Sequence, residues 1–378
     1  MNQNDFRELP FYIKFTFKLL MILLLGFLLT YGQNIIVPFI FSILLAILLL
    51  PFTNFLEGKL RVPKSIANLT AVIFALIIIG GLIYFFSHQI AGFLKDIPSI
   101  KDHLQLHYET LQNWIQQHFH ISMKQQSVML NNATDNVKSS GSAVIGETFF
   151  TITQTFFFII MIAIYTFLIL FYRHMIKEFI IEVFNKDHEP EVKEVLLESK
   201  EIVQKYMVGL ITEMGIIAVL NTGVLLVIGV KYAVFLGILS AVLNIIPYIG
   251  IFSGIIFTCL ITLTTSTQLS DIVWIIVSFE VIHFIDANFL MPRIVGSKVK
   301  INALVTIFGV VIGGTLLGLS GIFLALPGIA ILKIIFDRIE ELKPWGKLMG
   351  GDTMLKKGKI ARRIEKIRLT KRKKLLPD

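Results

Sequence analysis

An apolar stretch that is long enough to cross a membrane, residues 271–290, carries Glu280, His283, Asp286 and Asn288 from its middle onward. An ionisable side chain costs about 2.5–3.5 kcal/mol in hydrocarbon, so such residues usually mark a functional site or a buried pair. Glu280, His283 and Asp286 follow at steps of three, which places them within about 120° of one helix face. Together they could relay protons or hold a small cation. Alternatively, Glu280 and His283 only join helices, and Asp286 is interfacial and neutralised by Arg293.

A second group of residues interrupts the apolar run 232–262. It consists of Asn244, Pro247, Tyr248 and Gly250. Proline lacks an amide donor and glycine has a freely rotating backbone, so the helix is expected to break here. A short turn between two spans would explain the break, but each arm has only about 15–17 residues and is shorter than a 30 Å hydrocarbon core. The short arms favour a re-entrant hairpin, whose tip would have to be met by protein or a cavity.

A matching interruption occurs at Gly318-Leu319-Ser320-Gly321, within the apolar segment 303–335. This segment begins and ends beside basic residues, whereas the loop that follows the first broken segment, 264–271, has none. Each broken segment is preceded by a full span, 208–230 or 271–290, so the two units form an inverted repeat. Such a repeat with interrupted helices is typical of secondary transporters that bind substrate near the membrane midplane. Gly318 and Gly321 therefore join the candidate site.

The composition excludes most soluble functions. Hydrophobic residues make up 55% of the 378 residues and charged residues 16%, against about 25% charged in soluble proteins. The net charge of +9 lies mostly in loops and in the tail beside the spans, as the positive-inside rule expects, which argues against a nucleic-acid partner. Cys259 is the single cysteine, so neither an intramolecular disulfide nor a cysteine-based metal site is expected. No hydrolase, metalloprotease or P-loop motif occurs, so we predict neither an enzyme nor a cofactor.

These patterns predict an all-α polytopic membrane protein. It would have about six full transmembrane helices, two inverted re-entrant hairpins (about eight to ten apolar segments in all) and an external helical arm. Basic residues in the loop 51–65 place the N-terminus in the cytoplasm, and basic residues on both sides of the segment 303–335 place the C-terminus there. The predicted regions are a three-span scaffold (1–94), the external amphipathic arm (95–147), span four with a cytoplasmic amphipathic helix (148–209), the inverted-repeat transport core (210–338) and a basic cytoplasmic tail (339–378). Span five would carry Glu213 and Asn221, both able to face the bundle.

Three blocks of the sequence resemble the AI-2E transporter family, the autoinducer-2 exporter-like and PerM-related membrane proteins. The blocks are Gly229 to Gly250, Asp286 to Gly296 and Gly313 to Pro327. The resemblance implies a transporter of the bacterial inner membrane; family members have been linked to autoinducer-2 export, and some to exchange of sodium or lithium for protons. By position it implies roles for the following residues: Asn244, Pro247, Tyr248, Gly250, Asp286, Asn288, Pro292 and Arg293. The chain departs from the family pattern at Ile251, His283 and Ala303, which bears on substrate and not on membership.

Together these observations predict a secondary active transporter that exports a small polar molecule such as autoinducer-2. The protein is expected to form a homo-oligomer in the lipid bilayer. Substrate would lie between residues 244–250 and 313–321, while Asp286 and Glu280 would handle a proton or sodium as coupling ion. One alternative is a monovalent cation/proton antiporter of the same fold. An alternative of another class is a non-transporting scaffold that binds an envelope partner through residues 95–147.

Overall fold

The computed structural model describes residues 10–95, 144–184, 188–245, 249–266, 268, 270–294 and 301–350. Within these ranges the chain is helical and contains no strand beyond an isolated bridge between Ile301 and Gly350, which confirms the all-α prediction. The helices are α1 (Phe11–Tyr31), α2 (Gln33–Gly58), α3 (Lys64–Lys95), α4 (Val144–Phe171), α5 (Arg173–Val183), α6 (Glu189–Ile228), α7 (Ala233–Leu243), α8 (Ile249–Thr265), α9 (Ser270–Ile285), α10 (Met291–Ile294), α11 (Ala303–Arg338) and α12 (Lys343–Met349).

The described helices agree with a multi-pass membrane protein. Five of them are long and apolar enough to cross a membrane: α2, α3, α6, α9 with its continuation to Ile294, and α11. The bent pair α4–α5 adds a sixth when it counts as one span. Most of the predicted external arm and the tail beyond Gly350 lie outside the described residues.

Two helix boundaries differ from the prediction. Hydropathy predicts that the second span covers about residues 35–50 and is closed by Pro51, but Pro51 lies inside α2, which continues to Gly58. The Thr53 hydroxyl, one turn into this extension, donates to the carbonyl oxygen of Leu50 at 3.0 Å. The amphipathic helix and span five, predicted as consecutive elements, are one continuous 40-residue helix, α6.

The chain divides into two compact units. The first comprises residues 1–178 and 207–295, and the second residues 179–206 and 296–378. In the first unit, α2, α3 and α4 pack around small and branched residues, namely Ala46, Leu49, Ala71, Val72, Ala75 and Leu170. Small side chains allow membrane helices to approach closely, and van der Waals contact then replaces the hydrophobic effect as the packing force. A second cluster in this unit joins Leu225 of α6, Phe235 of α7 and Ile275 of α9.

The first interrupted segment folds back on itself within the first unit. Helix α7 has 11 residues, about 16 Å of helix and roughly half of a 30 Å hydrocarbon core. Helix α8 returns against it: Gly250 touches the backbone of Leu243 and Asn244, and Gly254 packs against Ser240. Pro247 and Tyr248 lie outside the described residues. The arms therefore form a hairpin.

The second interrupted segment is a hairpin of the second unit. Gly318 has φ 60° and ψ −144° within α11, a conformation that L-residues avoid and glycine adopts without steric cost. Beyond it the chain reverses, so that the backbones of Gly313 and Gly321 touch, as do Gly309 and the side chain of Ile329. At the base of the hairpin, the Asn302 side chain accepts from the amide of Val305 at 2.8 Å and donates to the carbonyl of Leu348 at 2.5 Å.

An ion pair in the first unit fixes the elbow between α4 and α5. The two helices are bent by 72° at Tyr172. Arg173, the first residue of α5, donates from Nη2 to Oε2 of Glu57 at 2.5 Å and from Nη1 to the Thr53 hydroxyl at 3.4 Å. Both charged side chains are about one-fifth exposed, at 19% and 22%. A pair so well shielded from solvent holds the start of α5 against the end of α2.

We expect Arg173→Met to lower the free energy of unfolding by about 2–3 kcal/mol, because Glu57 would keep a largely buried charge without its partner; removing one member of a fully buried pair costs about 3–5 kcal/mol. Arg173→Met combined with Glu57→Leu should recover much of the loss, measured by thermal unfolding in detergent. The matched control is Lys193→Met, which breaks the exposed pair with Glu189 and should change stability by less than about 1 kcal/mol. Equal effects of the two single variants would contradict a structural role for the elbow pair.

Candidate functional site

Asp286 lies where α9 changes its helical geometry. After Ile285 the chain forms a π-helical turn, Asp286–Leu290, before α10 begins. Such turns are rare and occur frequently at functional sites. Asp286 is 5% exposed, and its Oδ2 accepts a hydrogen bond from Nδ2 of Asn244 at 3.3 Å. Because Asn244 caps the C-terminal end of α7, this bond joins the first hairpin to the helix that carries the acidic residue.

A second carboxyl group faces Asp286 from α6. Glu213 is 7% exposed, and its carboxyl interacts electrostatically with that of Asp286. The pair therefore brings together α6 and the end of α9, two membrane-spanning helices. The sequence showed that Glu213 is an acidic residue inside a span, but it did not show that Asp286 is the partner of Glu213. Glu213 was consequently not among the predicted site residues.

A small polar cavity lies beside the carboxyl pair. It has a volume of about 30 Å³, and its lining includes Asn221, Ser240, Asn244, His283 and Asp286, without a lysine or arginine. Nδ2 of Asn221 donates to the Ser240 hydroxyl at 2.8 Å. Three buried lining atoms have no hydrogen-bond partner within the protein: Oδ1 of Asn221, Nδ1 of His283 and Oδ1 of Asp286.

The electrostatics of this site favour a proton or a cation. Two carboxylates side by side in a poorly solvated site repel each other, so the Glu213–Asp286 pair is stable when it shares a proton or binds a positive ion. A buried polar atom without a partner costs about 1–3 kcal/mol, which a water, proton donor or cation in the cavity would offset. A water needs about 10–15 Å³ of such volume, so the cavity accommodates an ion or a few waters. Among the described residues, no group of three or more His, Cys, Asp and Glu is arranged to hold a metal ion.

The other predicted site residues lie in different surroundings. Glu280 is exposed on the outer face of α9, and His283 is half-buried at the cavity. Asn288 is exposed, and its Nδ2 donates to the backbone carbonyl of Phe284 at 2.8 Å. Gly250 packs within the first hairpin, and Gly318 and Gly321 form the turn of the hairpin in the second unit. The structure thus brings together Asn244, His283 and Asp286, and adds Glu213, Asn221 and Ser240.

An open groove of about 500 Å³ lies along the same two helices, α6 and α9. Its lining residues are Gly223, Val224, Val227, Ile228, Asp271, Trp274 and Ser278. Ser278 of the groove and Phe279 of the cavity are consecutive residues. The groove is within the range of about 300–1,000 Å³ that small-molecule sites occupy, whereas the cavity is far below it.

The chain is similar along most of its length to proteins described as transporters. The family model for "AI-2E family transporter" matches residues 17–341. The chain is 24% identical over 318 residues to "Putative transport protein YrrI" of Bacillus subtilis (strain 168), covering 82% of this chain and 88% of that protein. It is also 26% identical over 358 residues to "Putative transport protein YueF" of the same organism, covering 86% of this chain and 93% of the relative.

Proposed function

Because the chain belongs to the AI-2E family of transporters, we propose that it is a secondary active transporter of the bacterial inner membrane that exports a small polar molecule such as autoinducer-2. In this proposal Glu213 and Asp286 bind the coupling ion, a proton or sodium. The observation that carries the proposal is the buried carboxyl pair beside a cavity with unpartnered polar atoms. Both termini would be cytoplasmic, and the protein would work as a homo-oligomer without enzymatic activity.

The hydrogen bond between Asn244 and Asp286 supplies a physical link between ion binding and movement. An ionised Asp286 accepts strongly from the Asn244 amide, because hydrogen bonds to charged groups are about twice as strong as neutral ones. A proton or cation on Asp286 competes for the same oxygens and weakens the bond to the hairpin. Ion occupancy would therefore change how firmly the first hairpin is held against the end of α9, and a ligand shifts a conformational equilibrium only through such a difference.

The groove is the proposed passage for the small molecule. The cavity of about 30 Å³ cannot hold a molecule of that size, while the groove of about 500 Å³ can. Trp274, Ser278 and Asp271 provide an aromatic surface, a hydroxyl and a carboxylate along it, which suit a small polar compound. Ion and substrate would thus occupy neighbouring sites on α6 and α9. This proposal gives Glu213 the coupling role that was predicted for Glu280, and the predicted roles of Gly318 and Gly321 stay predictions.

A second candidate function is monovalent cation/proton antiport, and the size of the cavity favours it. An antiporter needs only the ion-sized site, with the carboxyl pair releasing a proton when a monovalent cation binds. The scaffold alternative depends on residues 95–147, of which 96–143 lie outside the described residues.

Flux measurements in proteoliposomes separate these functions. Purified protein would be reconstituted under imposed proton or sodium gradients, and movement of autoinducer-2 and of cations recorded separately. Coupled movement of both supports the exporter. Cation exchange that is unaffected by autoinducer-2 supports the antiporter, and absence of both fluxes leaves the scaffold.

A variant of the groove tests where the small molecule passes. We expect Gly223→Leu to reduce autoinducer-2 flux by at least about tenfold, which corresponds to 1.4 kcal/mol, because the new side chain fills open space in the groove, and to leave cation exchange largely unchanged. Gly215→Leu is the matched control, since Gly215 also lies on α6 with no atom within 4 Å of an added Cβ and does not line the groove. Normal autoinducer-2 flux through Gly223→Leu would contradict a passage along α6 and α9.

A further inference from the structure

Helix α5, Arg173–Val183, was not predicted from hydropathy and is amphipathic. Most of its apolar residues occupy one side of the helix, whereas the other side carries His174, Lys177 and Glu178 together with Ile181. Three of the apolar residues, one helical turn apart, form an exposed row: Met175 at 58%, Phe179 at 64% and Val183 at 62% exposure. In a soluble protein a row of this kind would normally be buried, because an amphipathic helix turns its apolar face to the core.

The position of α5 along the chain indicates what covers this row. Helix α4 is an apolar span, and α5 leaves it at an angle of 72°. A helix that follows a span and turns by nearly a right angle runs close to the membrane plane at the depth where the span ends. The elbow is anchored, because Arg173 is bonded to Glu57 and Thr53 at the end of α2.

The basic residues around the elbow locate it at a membrane surface. The segment 59–64, here called the basic loop, joins α2 to α3 and carries Lys59, Arg61 and Lys64, the last of which begins α3. Nζ of Lys64 lies 5.6 Å from the ring centroid of Phe171, at the end of α4. Lysine and arginine collect at the ends of spans, where their charged groups reach the headgroups. The elbow is therefore at headgroup depth, and α5 begins there.

We propose that α5 lies in the lipid headgroup region on the membrane face that carries the basic loop 59–64, with Met175, Phe179 and Val183 in contact with lipid. A helix in this position buries its apolar face about 5–10 Å below the headgroups and keeps its polar face in water. The inference does not depend on the transported substrate.

The charges of α5 specify the kind of lipid interaction. Lys177 contributes one positive charge and Glu178 and Glu182 contribute two negative ones, while Arg173 is paired with Glu57. Because the helix carries one negative charge in excess, attraction to anionic lipid does not hold it at the surface. The apolar row is the source of the contact, and lipid exposure should be the same with and without anionic lipids.

The single cysteine of the chain makes a labelling experiment direct. In a Cys259→Ser background, single cysteines would replace Phe179 or Val183 in the apolar row, and His174 or Lys177 in the polar row as matched controls. Each variant would be labelled with a fluorescent bimane and reconstituted into vesicles of phosphatidylethanolamine and phosphatidylglycerol, or of phosphatidylcholine alone. Quenching by a nitroxide on the upper acyl chain reports lipid contact, and quenching by iodide reports water.

We expect the nitroxide to quench labels at Phe179 and Val183 at least about twofold more strongly than labels at His174 and Lys177, as follows from the 5–10 Å depth of an interfacial helix. Iodide should show the opposite order, and both lipid mixtures should give the same result. Equal iodide quenching of the two rows would overturn the proposal. Protection of the apolar row from both quenchers would also overturn it, because the row would then be covered by protein.

Discussion

Asp286→Asn is expected to reduce ion-coupled flux by at least about tenfold, or 1.4 kcal/mol, while the protein remains folded. Asparagine has nearly the same shape as aspartate but neither binds nor releases a proton, so the carboxyl pair with Glu213 would lose its ability to exchange a proton for a cation. Glu213→Gln should have a similar effect. The measurement is proteoliposome flux under imposed proton and sodium gradients.

The double variant and a control on the same helix make this prediction specific. Glu213→Gln combined with Asp286→Asn should lose little more than either single variant, because residues that act as one unit are not additive. Glu280→Gln should stay within about twofold of the wild type, as expected for a substitution away from the buried site; Glu280 is exposed and does not line the cavity. Wild-type rate and ion dependence in Asp286→Asn, or an equal loss in Glu280→Gln, would refute the proposed ion site.

The second large effect is expected at the hairpin of α11. In Gly321→Ala the new methyl group would overlap the backbone carbonyl of Gly313. Backbone cannot move aside as a flexible side chain does, so the two arms must separate and lose contact along their length. Overpacking of this kind typically costs about 1–3 kcal/mol, and we expect the upper end of that range, measured as loss of helical circular dichroism on heating together with the yield of folded protein.

Gly328→Ala is the matched control for this hairpin. Gly328 lies in the same arm, and no atom is within 4 Å of a Cβ added there. Alanine is the better helix former by roughly 0.5–1 kcal/mol, so stability should be unchanged or slightly higher. If Gly321→Ala were as stable as Gly328→Ala, the close contact between Gly313 and Gly321 would not be what holds the arms together.

Much of the fold could be predicted from hydropathy and helix breakers. The break at Gly318 was predicted, and the chain reverses its direction there. The reversal requires a positive φ, which glycine adopts without steric cost. The first hairpin was predicted from arms too short to span a membrane, and α7 is indeed only 11 residues long. Helix α5 was not predicted, since its apolar residues alternate with charged ones and the segment is too short and too polar to be recognised as a span.

The orientation of the site residues was harder to predict, because lipid and protein interior are both apolar. Helix α9 carries apolar residues all round, so its sequence contains no polar side that would mark the exposed face, as it would in a soluble helix. Glu280 and Asp286 differ by about 120° around the helix, and that difference separates an exposed carboxylate from a buried one. The π turn that begins at Asp286 changes the helical register further.

By itself, the sequence determined the all-α membrane class, the two interrupted segments and the set of polar residues placed in apolar surroundings, because each follows from the free energy of transferring local chain groups into lipid. Only the tertiary structure decided which of those residues meet. The pairing of Glu213 with Asp286, the bond from Asn244 and the elbow between Arg173 and Glu57 join helices far apart in sequence. Such contacts depend on how whole helices pack, which local sequence patterns do not specify.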